Sequence, residues 1–129
     1  MVTTTQELVY EAGCRVPSMS VEEAELAMSL GALLVDVREG EERDREGTIR
    51  GALHVPRGVL EFHADVRSPY YMAEFGPQSP IIIHCTNGSR SALAAETLQR
   101  LGFRDVCYLE GGIAAWKETN RRVEPGRSR

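Results

Sequence analysis

The sequence predicts an α/β domain with a mostly parallel sheet. Two observations predict it. Short apolar runs (Leu33–Val37, Ala52–Val55, Ile81–His84, Val106–Leu109) alternate with segments of helical spacing. Glycine or proline then punctuates most junctions: Gly31, Pro56, Gly102 and Gly111-Gly112. A chain of 129 residues suits one such domain and is too short for two separate cores.

Composition narrows the classes further. Hydrophobic residues make up 42% and charged residues 26%, a globular balance that excludes collagen-like and disordered chains. Apolar runs such as Ile81–Ile83 are far too short to span a bilayer, which takes about 20 residues. The 15 basic and 19 acidic residues leave a net charge of −4, which argues against non-specific nucleic-acid binding. Three cysteines, Cys14, Cys85 and Cys107, make no disulfide framework. The opening MVTTTQELVYEAG lacks a basic stretch followed by an apolar core, so no signal peptide is expected and a reducing cytoplasm is the expected compartment. Asn87-Gly88-Ser89 matches a glycosylation sequon that such a chain would never use.

The elements follow in order. Residues 1–17 are weakly patterned and are expected to form an arm, with a short strand near Arg15 to Ser18. Ser20-Val21-Glu22-Glu23 is a capping box, and Val21, Ala24, Ala27 and Met28 continue at helical spacing until Gly31. Leu33–Val37 is a strand buried on both faces. Arg38 to Arg50 mixes acids with arginines and is expected to be a solvated face with a short helical turn. Ala52–Val55 is the next strand, and Val59, Leu60 and Phe62 predict a helical turn after it. Arg67 to Pro80 is a loop marked by Pro69, Gly76, Pro77 and Pro80. Its rings Tyr70, Tyr71 and Phe75 are expected to cover the core rather than roof a pocket.

Ile81–His84 is a further buried strand. It runs through Cys85 into a helix over 89–101, with Ala94, Leu98 and Leu101 on one face and Gly102 as the stop. Ala92 and Ala95 let that helix approach a sheet closely. Val106–Leu109 is the last strand, and Gly111-Gly112 opens a short helix carrying Trp116. A domain over 18–120 is thus followed by a frayed basic tail, 121–129.

In parallel α/β sheets the reactive groups lie beyond the carboxyl ends of the strands. That rule gathers Arg38, the Cys85 loop and the Gly111-Gly112 turn. The loop Thr86-Asn87-Gly88-Ser89-Arg90 rolls straight into a helix, so its N–H groups converge as an anion cradle. Gly88 permits the turn and Arg90 adds a cation. A thiol placed there is expected to be partly thiolate and nucleophilic. The bland alternative is a small buried hydrophobe, and the pattern alone leaves both open. Cys14 and Cys107 fit the bland role better. Asp36 and Arg38 are expected to brace the loop, with substrate contact as the alternative, and Ser91 to bond within the loop or cap the helix. Arg90 is open between steering anions and bracing carbonyls. His84 should point away from Cys85 and be a satisfied core histidine. Trp116 and Leu109 look like core, and no Cys/His cluster suggests zinc.

The segment Ile82-Ile83-His84-Cys85-Thr86-Asn87-Gly88-Ser89-Arg90-Ser91-Ala92 resembles the active-site segment of rhodanese-like domains. Three more segments resemble the same family in the right order. They are Leu34-Val35-Asp36-Val37-Arg38-Glu39, Gly47-Thr48-Ile49-Arg50-Gly51-Ala52, and Leu109-Glu110-Gly111-Gly112 through Trp116. Together they cover roughly residues 18–120 and resemble the single-domain members.

The resemblance implies a three-layer domain with a parallel sheet of about five strands flanked by helices. It also implies a thiosulfate sulfurtransferase-like activity. Cys85 would take a sulfane sulfur from a donor such as thiosulfate, hold it as a persulfide, and pass it to cyanide, a thiol or a protein acceptor. No cofactor or metal is called for. Some rhodanese domains act instead as sulfur carriers or interaction modules with little turnover, which is the alternative. Rhodanese-fold phosphatases resemble Cys-x5-Arg, one residue longer than the Cys-x4-Arg of Cys85 to Arg90. That difference, and the lack of an evident general acid, disfavour phosphate chemistry. Three departures stand out. Thr86 and Asn87 replace the early loop cation of many relatives, which predicts modest activity on dianionic thiosulfate. Thr48 stands where histidine is frequent, and Gly40 where proline is.

Overall fold

A computed structural model of the chain describes residues 2–76 and 78–126. Five strands, β1 (Ser18–Met19), β2 (Leu33–Asp36), β3 (Leu53–His54), β4 (Ile81–His84) and β5 (Val106–Leu109), form one sheet in the order β1-β5-β4-β2-β3. Every pairing is parallel. Crossovers are made by α2 (Val21–Ser29), α3 (Gly40–Glu46), α4 (Leu60–Ala64) and α5 (Ser89–Leu101), and α6 (Gly112–Glu118) follows β5.

Side-chain alternation on β4 divides the core into two layers. Ile81 and Ile83 join Val35, Leu60, Phe75, Ala94, Ala95 and Leu98 on one face. Ile82 joins Val21, Ala24, Leu34, Ile113 and Trp116 on the other. All three isoleucines are at most 1% exposed, so each contributes about 1.5–3 kcal/mol of burial. Small residues at 92, 94 and 95 bring α5 down onto β4 and β5. That close approach fixes where Cys85 meets the helix start.

Four expectations are corrected. The N-terminal arm is a helix, α1 (Thr5–Arg15), packed on α5. It has its own capping box, Thr4 with Glu7, the same signature that marks Ser20 and Glu23. The first strand begins at Ser18, after Pro17, rather than around Arg15. Leu101 is 42% exposed, because it lies on the last turn of α5, and Ser91 and Ala92 join the buried face instead. The described part of the tail is docked: Thr48 and Glu124 exchange backbone hydrogen bonds of 2.7 and 2.8 Å, and Trp116 Nε1 donates to the Arg122 carbonyl at 3.0 Å. Residues 127–129 and Pro77 lie outside the described residues.

The 67–80 loop splits its rings. Phe75 is fully buried edge-on to Phe103, and the Tyr71 hydroxyl donates to the Phe75 carbonyl at 2.7 Å. Tyr70 is exposed and covers no core.

Candidate active site

Cys85 follows directly on β4, at its carboxyl end, and is fully buried. Its Sγ accepts hydrogen bonds from the N–H of Gly88 at 3.2 Å and of Ser91 at 3.4 Å. The thiol lies 3.5 Å from the Ser91 hydroxyl, to which it donates, and that hydroxyl donates to the Gly88 carbonyl at 3.0 Å. Gly88 has φ 105°, a left-handed conformation that turns its N–H back onto the sulfur. Asn87 Oδ1 accepts from both the N–H and the hydroxyl of Ser89, which ties off the loop before α5 begins.

The loop's carbonyls face the other way. The Cys85 carbonyl accepts from Ile113 N–H at 2.9 Å, and the Thr86 carbonyl from Ala114 N–H at 3.1 Å. The first turn of α6 therefore finds its partners in the loop rather than in solvent. Thus the Gly111-Gly112 turn does meet the Cys85 loop, as the strand-end rule predicts.

Arg38 does not join them. Arg38 and Asp36 are both fully buried and bound to each other through paired bonds of 3.0 and 2.9 Å. Arg38 also donates to the Gly47 carbonyl at 2.9 Å, and Arg43 Nε donates to Asp36 at 3.1 Å. Burial alone would raise the Asp36 carboxyl, but the hydrogen bonds and charge of Arg38 hold it below the usual carboxylate range. His84 is buried as expected, with Nδ1 3.3 Å from the Cys85 carbonyl. It is not fully satisfied: Nε2 has no hydrogen-bond partner among the described residues and lies 3.7 Å from Asp36 Oδ2. Burial pushes the His84 imidazole down, so the ring is neutral there.

Arg90 bonds a carboxylate rather than the loop carbonyls. Its Nη1 and Nη2 donate to the two oxygens of Glu42 at 2.8 and 2.7 Å. The Thr86 hydroxyl donates to Glu42 Oε1 at 3.4 Å. Arg90 beside it holds the Glu42 carboxyl down to about 2, and Glu42 in turn raises Arg90. The sequence reasoning missed Glu42, which sits in the segment expected to be a solvated face. No local signal joins it to a residue 48 positions later.

Of the other cysteines, Cys14 is exposed on α1. Cys107 lies in β5, where burial pushes its thiol up to about 12.

The site is thus a buried cysteine at the end of a strand of a parallel α/β sheet, its sulfur bonded by the N–H groups of Gly88 in the loop and Ser91 in the first turn of the helix. The rhodanese-like domain model matches residues 20–119, and the chain belongs to that family.

Among curated relatives, the thiosulfate sulfurtransferase GlpE of Stutzerimonas stutzeri is 31% identical over 98 residues, 76% of this chain and 82% of that protein. The putative sulfur carrier protein YrkF of Bacillus subtilis is 34% identical over 83 residues, 64% of this chain but only 40% of that protein. Among solved structures, a Rhodopseudomonas palustris protein of unknown function, described as a possible tyrosine phosphatase, superposes with a TM-score of 0.90 at 31% identity, covering 96% of each chain.

Proposed function

We propose that this chain is a rhodanese-type sulfurtransferase that carries sulfur as a Cys85 persulfide. The observation that carries it is the pair of N–H bonds from Gly88 and Ser91 to Cys85 Sγ. In the first step the Cys85 thiolate attacks the outer sulfur of a donor such as thiosulfate. The new S–S bond forms on Cys85, and the donor's own bond to that sulfur breaks, releasing sulfite with the electron pair. In the second step cyanide or a thiolate attacks the terminal sulfur, leaves as thiocyanate or a new persulfide, and returns Cys85 as thiolate. Both steps move negative charge between sulfurs at one place, where fixed N–H dipoles stabilise it.

Full burial of Cys85 favours a donor that presents a terminal sulfur end-on. Thr86, Asn87, Gly88, Ser89 and Arg90 shape the cradle, Ser91 supports the sulfur, and Asp36 with Arg38 supports the strand end. Cys14, Cys85 and Cys107 are free thiols, which is compatible with the reducing compartment this reading assigns to the chain.

The likeness to YrkF supports a second reading, a low-turnover carrier that hands sulfur to a partner protein. Phosphate chemistry is disfavoured, because four residues rather than five separate Cys85 from Arg90.

The test is intact-mass spectrometry after thiosulfate or 3-mercaptopyruvate, with Cys85→Ser beside it and cyanide added afterwards. The expected result is one added sulfur that needs Cys85 and is removed by cyanide. A stable adduct that small acceptors cannot discharge would select the carrier reading. No adduct from either donor, or Cys85-dependent hydrolysis of p-nitrophenyl phosphate, would overturn sulfur transfer.

A further inference from the structure

We propose that Glu42 sets the donor preference of the Cys85 loop by occupying its only cation, so that the site favours monoanionic sulfane donors over dianionic ones. The inference rests on the sulfur-transfer reading and names the substrate class for it.

The rim of the loop looks at first like an anion site, with Arg90 and three hydroxyls. Those donors are engaged. Both terminal nitrogens of Arg90 and the Thr86 hydroxyl point to Glu42. The Ser89 hydroxyl points to Asn87 and the Ser91 hydroxyl to Gly88. Glu42 itself is locked, because its Oε2 also accepts from Glu39 N–H at 2.9 Å as part of the α3 cap.

A bidentate Arg–carboxylate pair with that added bond is stiffer than an ordinary surface pair. Its carboxylate stays ionised at any physiological pH. Arg90 stands next to Ser91, whose N–H bonds Cys85 Sγ, and its Nη2 donates to the hydroxyl of Thr86, the residue after the cysteine, at 3.4 Å. The guanidinium and Glu42 therefore cancel beside the nucleophile. What remains for the donor is the backbone cradle, which stabilises one transferring charge on sulfur. A second full charge, such as that of thiosulfate, meets a loop cation already paired with Glu42.

The clean comparison is between thiosulfate, a dianion, and methanethiosulfonate, a monoanion that delivers the same outer sulfur and leaves as methanesulfinate. In each case Cys85 gains the sulfur, and the leaving group departs with the electrons of the broken bond. Rates of Cys85 persulfide formation with each donor give a ratio for the wild type and for Glu42→Gln. Glutamine keeps one acceptor oxygen for the α3 cap, removes the charge, and puts an amide NH2 where the second oxygen accepts from Arg90, so the guanidinium is released from its bidentate partner.

The expected result is that Glu42→Gln shifts the ratio toward thiosulfate by about tenfold, as one uncovered charge near the site would. A variant that loads with both donors at a ratio within about twofold of wild type overturns the inference and leaves sulfur transfer standing. A wild type that loads with neither donor overturns both.

If Glu42→Gln loses its melting transition, the wild type alone decides through salt. Raising ionic strength from about 20 to about 200 mM should leave its donor ratio within about twofold. A several-fold loss of thiosulfate preference over that range would mean that Arg90 acts as an uncovered cation, and the inference fails.

Discussion

Gly112 lies so close to Cys85 that a Cβ built on it would stand 2.5 Å from the Cys85 carbonyl oxygen. Its φ of 60° also puts it in the left-handed region. The α6 N-terminus can therefore seat on the Cys85 loop only because no side chain intervenes, and the Cys85 and Thr86 carbonyls and the helix's N–H groups satisfy one another.

The first prediction follows from that contact. Gly112→Ala should destabilise the domain by more than about 2 kcal/mol, combining left-handed strain with displacement of the loop. It should also abolish persulfide formation on Cys85. Gly31→Ala is the control, since Gly31 has φ 105° and nothing within 4 Å of its absent Cβ. It should cost only the strain. Urea unfolding with mass spectrometry on both variants checks this, and equal losses would refute the contact argument.

Ser91→Ala tests the sulfur's side-chain partner. The Ser91 hydroxyl accepts from the thiol and can turn to donate once the sulfur is ionised. Removing it should slow Cys85 persulfide formation by about tenfold, the effect of one hydrogen bond to a charged atom. The fold should persist, because the N–H bonds from Gly88 and Ser91 remain. Stopped-flow loading measured beside thermal melting separates the two effects.

Acid should weaken the fold in two stages. Burial holds the folded His84 imidazole below its ordinary 6.5, so the stability it contributes is complete above that pH and declines as pH falls below it. The slope from one such group is at most about 1.4 kcal/mol per pH unit. Glu42 behaves likewise lower down, its contribution fully present above 4.5 and lost as pH falls toward about 2. His84→Asn should flatten the first stage and leave the second. Chemical unfolding from pH 7.5 to 3 on both proteins would show it, and identical profiles would count against a neutral buried His84.

Cys107 should be inert. With its thiol pushed up to about 12, it should react with iodoacetamide at pH 8 at least about a hundredfold more slowly than exposed Cys14. Peptide mapping of the native protein would measure this, and transferred sulfur should map to the Cys85 peptide alone.

Much of this was legible in the chain. The capping box at Ser20, the β4 run, the α5 bounds of 89–101 and the Gly102 stop are short-range signals, and the structure keeps them. The α1 helix carried the same kind of signal at Thr4 and Glu7, but its solvent-facing residues hid the amphipathic pattern, since only Ala12 is buried. Arg38 was placed at the strand end correctly. Its direction depended on the Gly47 carbonyl and the Asp36 carboxylate, whose joint position follows from folding.

Local spacings in the chain suffice for the alternation of strands and helices, the cysteine at a strand end and the glycine that turns its loop. Each depends on spacings of a few residues, set by local backbone geometry. The tertiary structure alone decided that Glu42 covers Arg90, that α6 seats on the Cys85 carbonyl and that the tail closes on Thr48. Those contacts join residues far apart in the chain, and packing brings them within hydrogen-bond reach only after the sheet has formed.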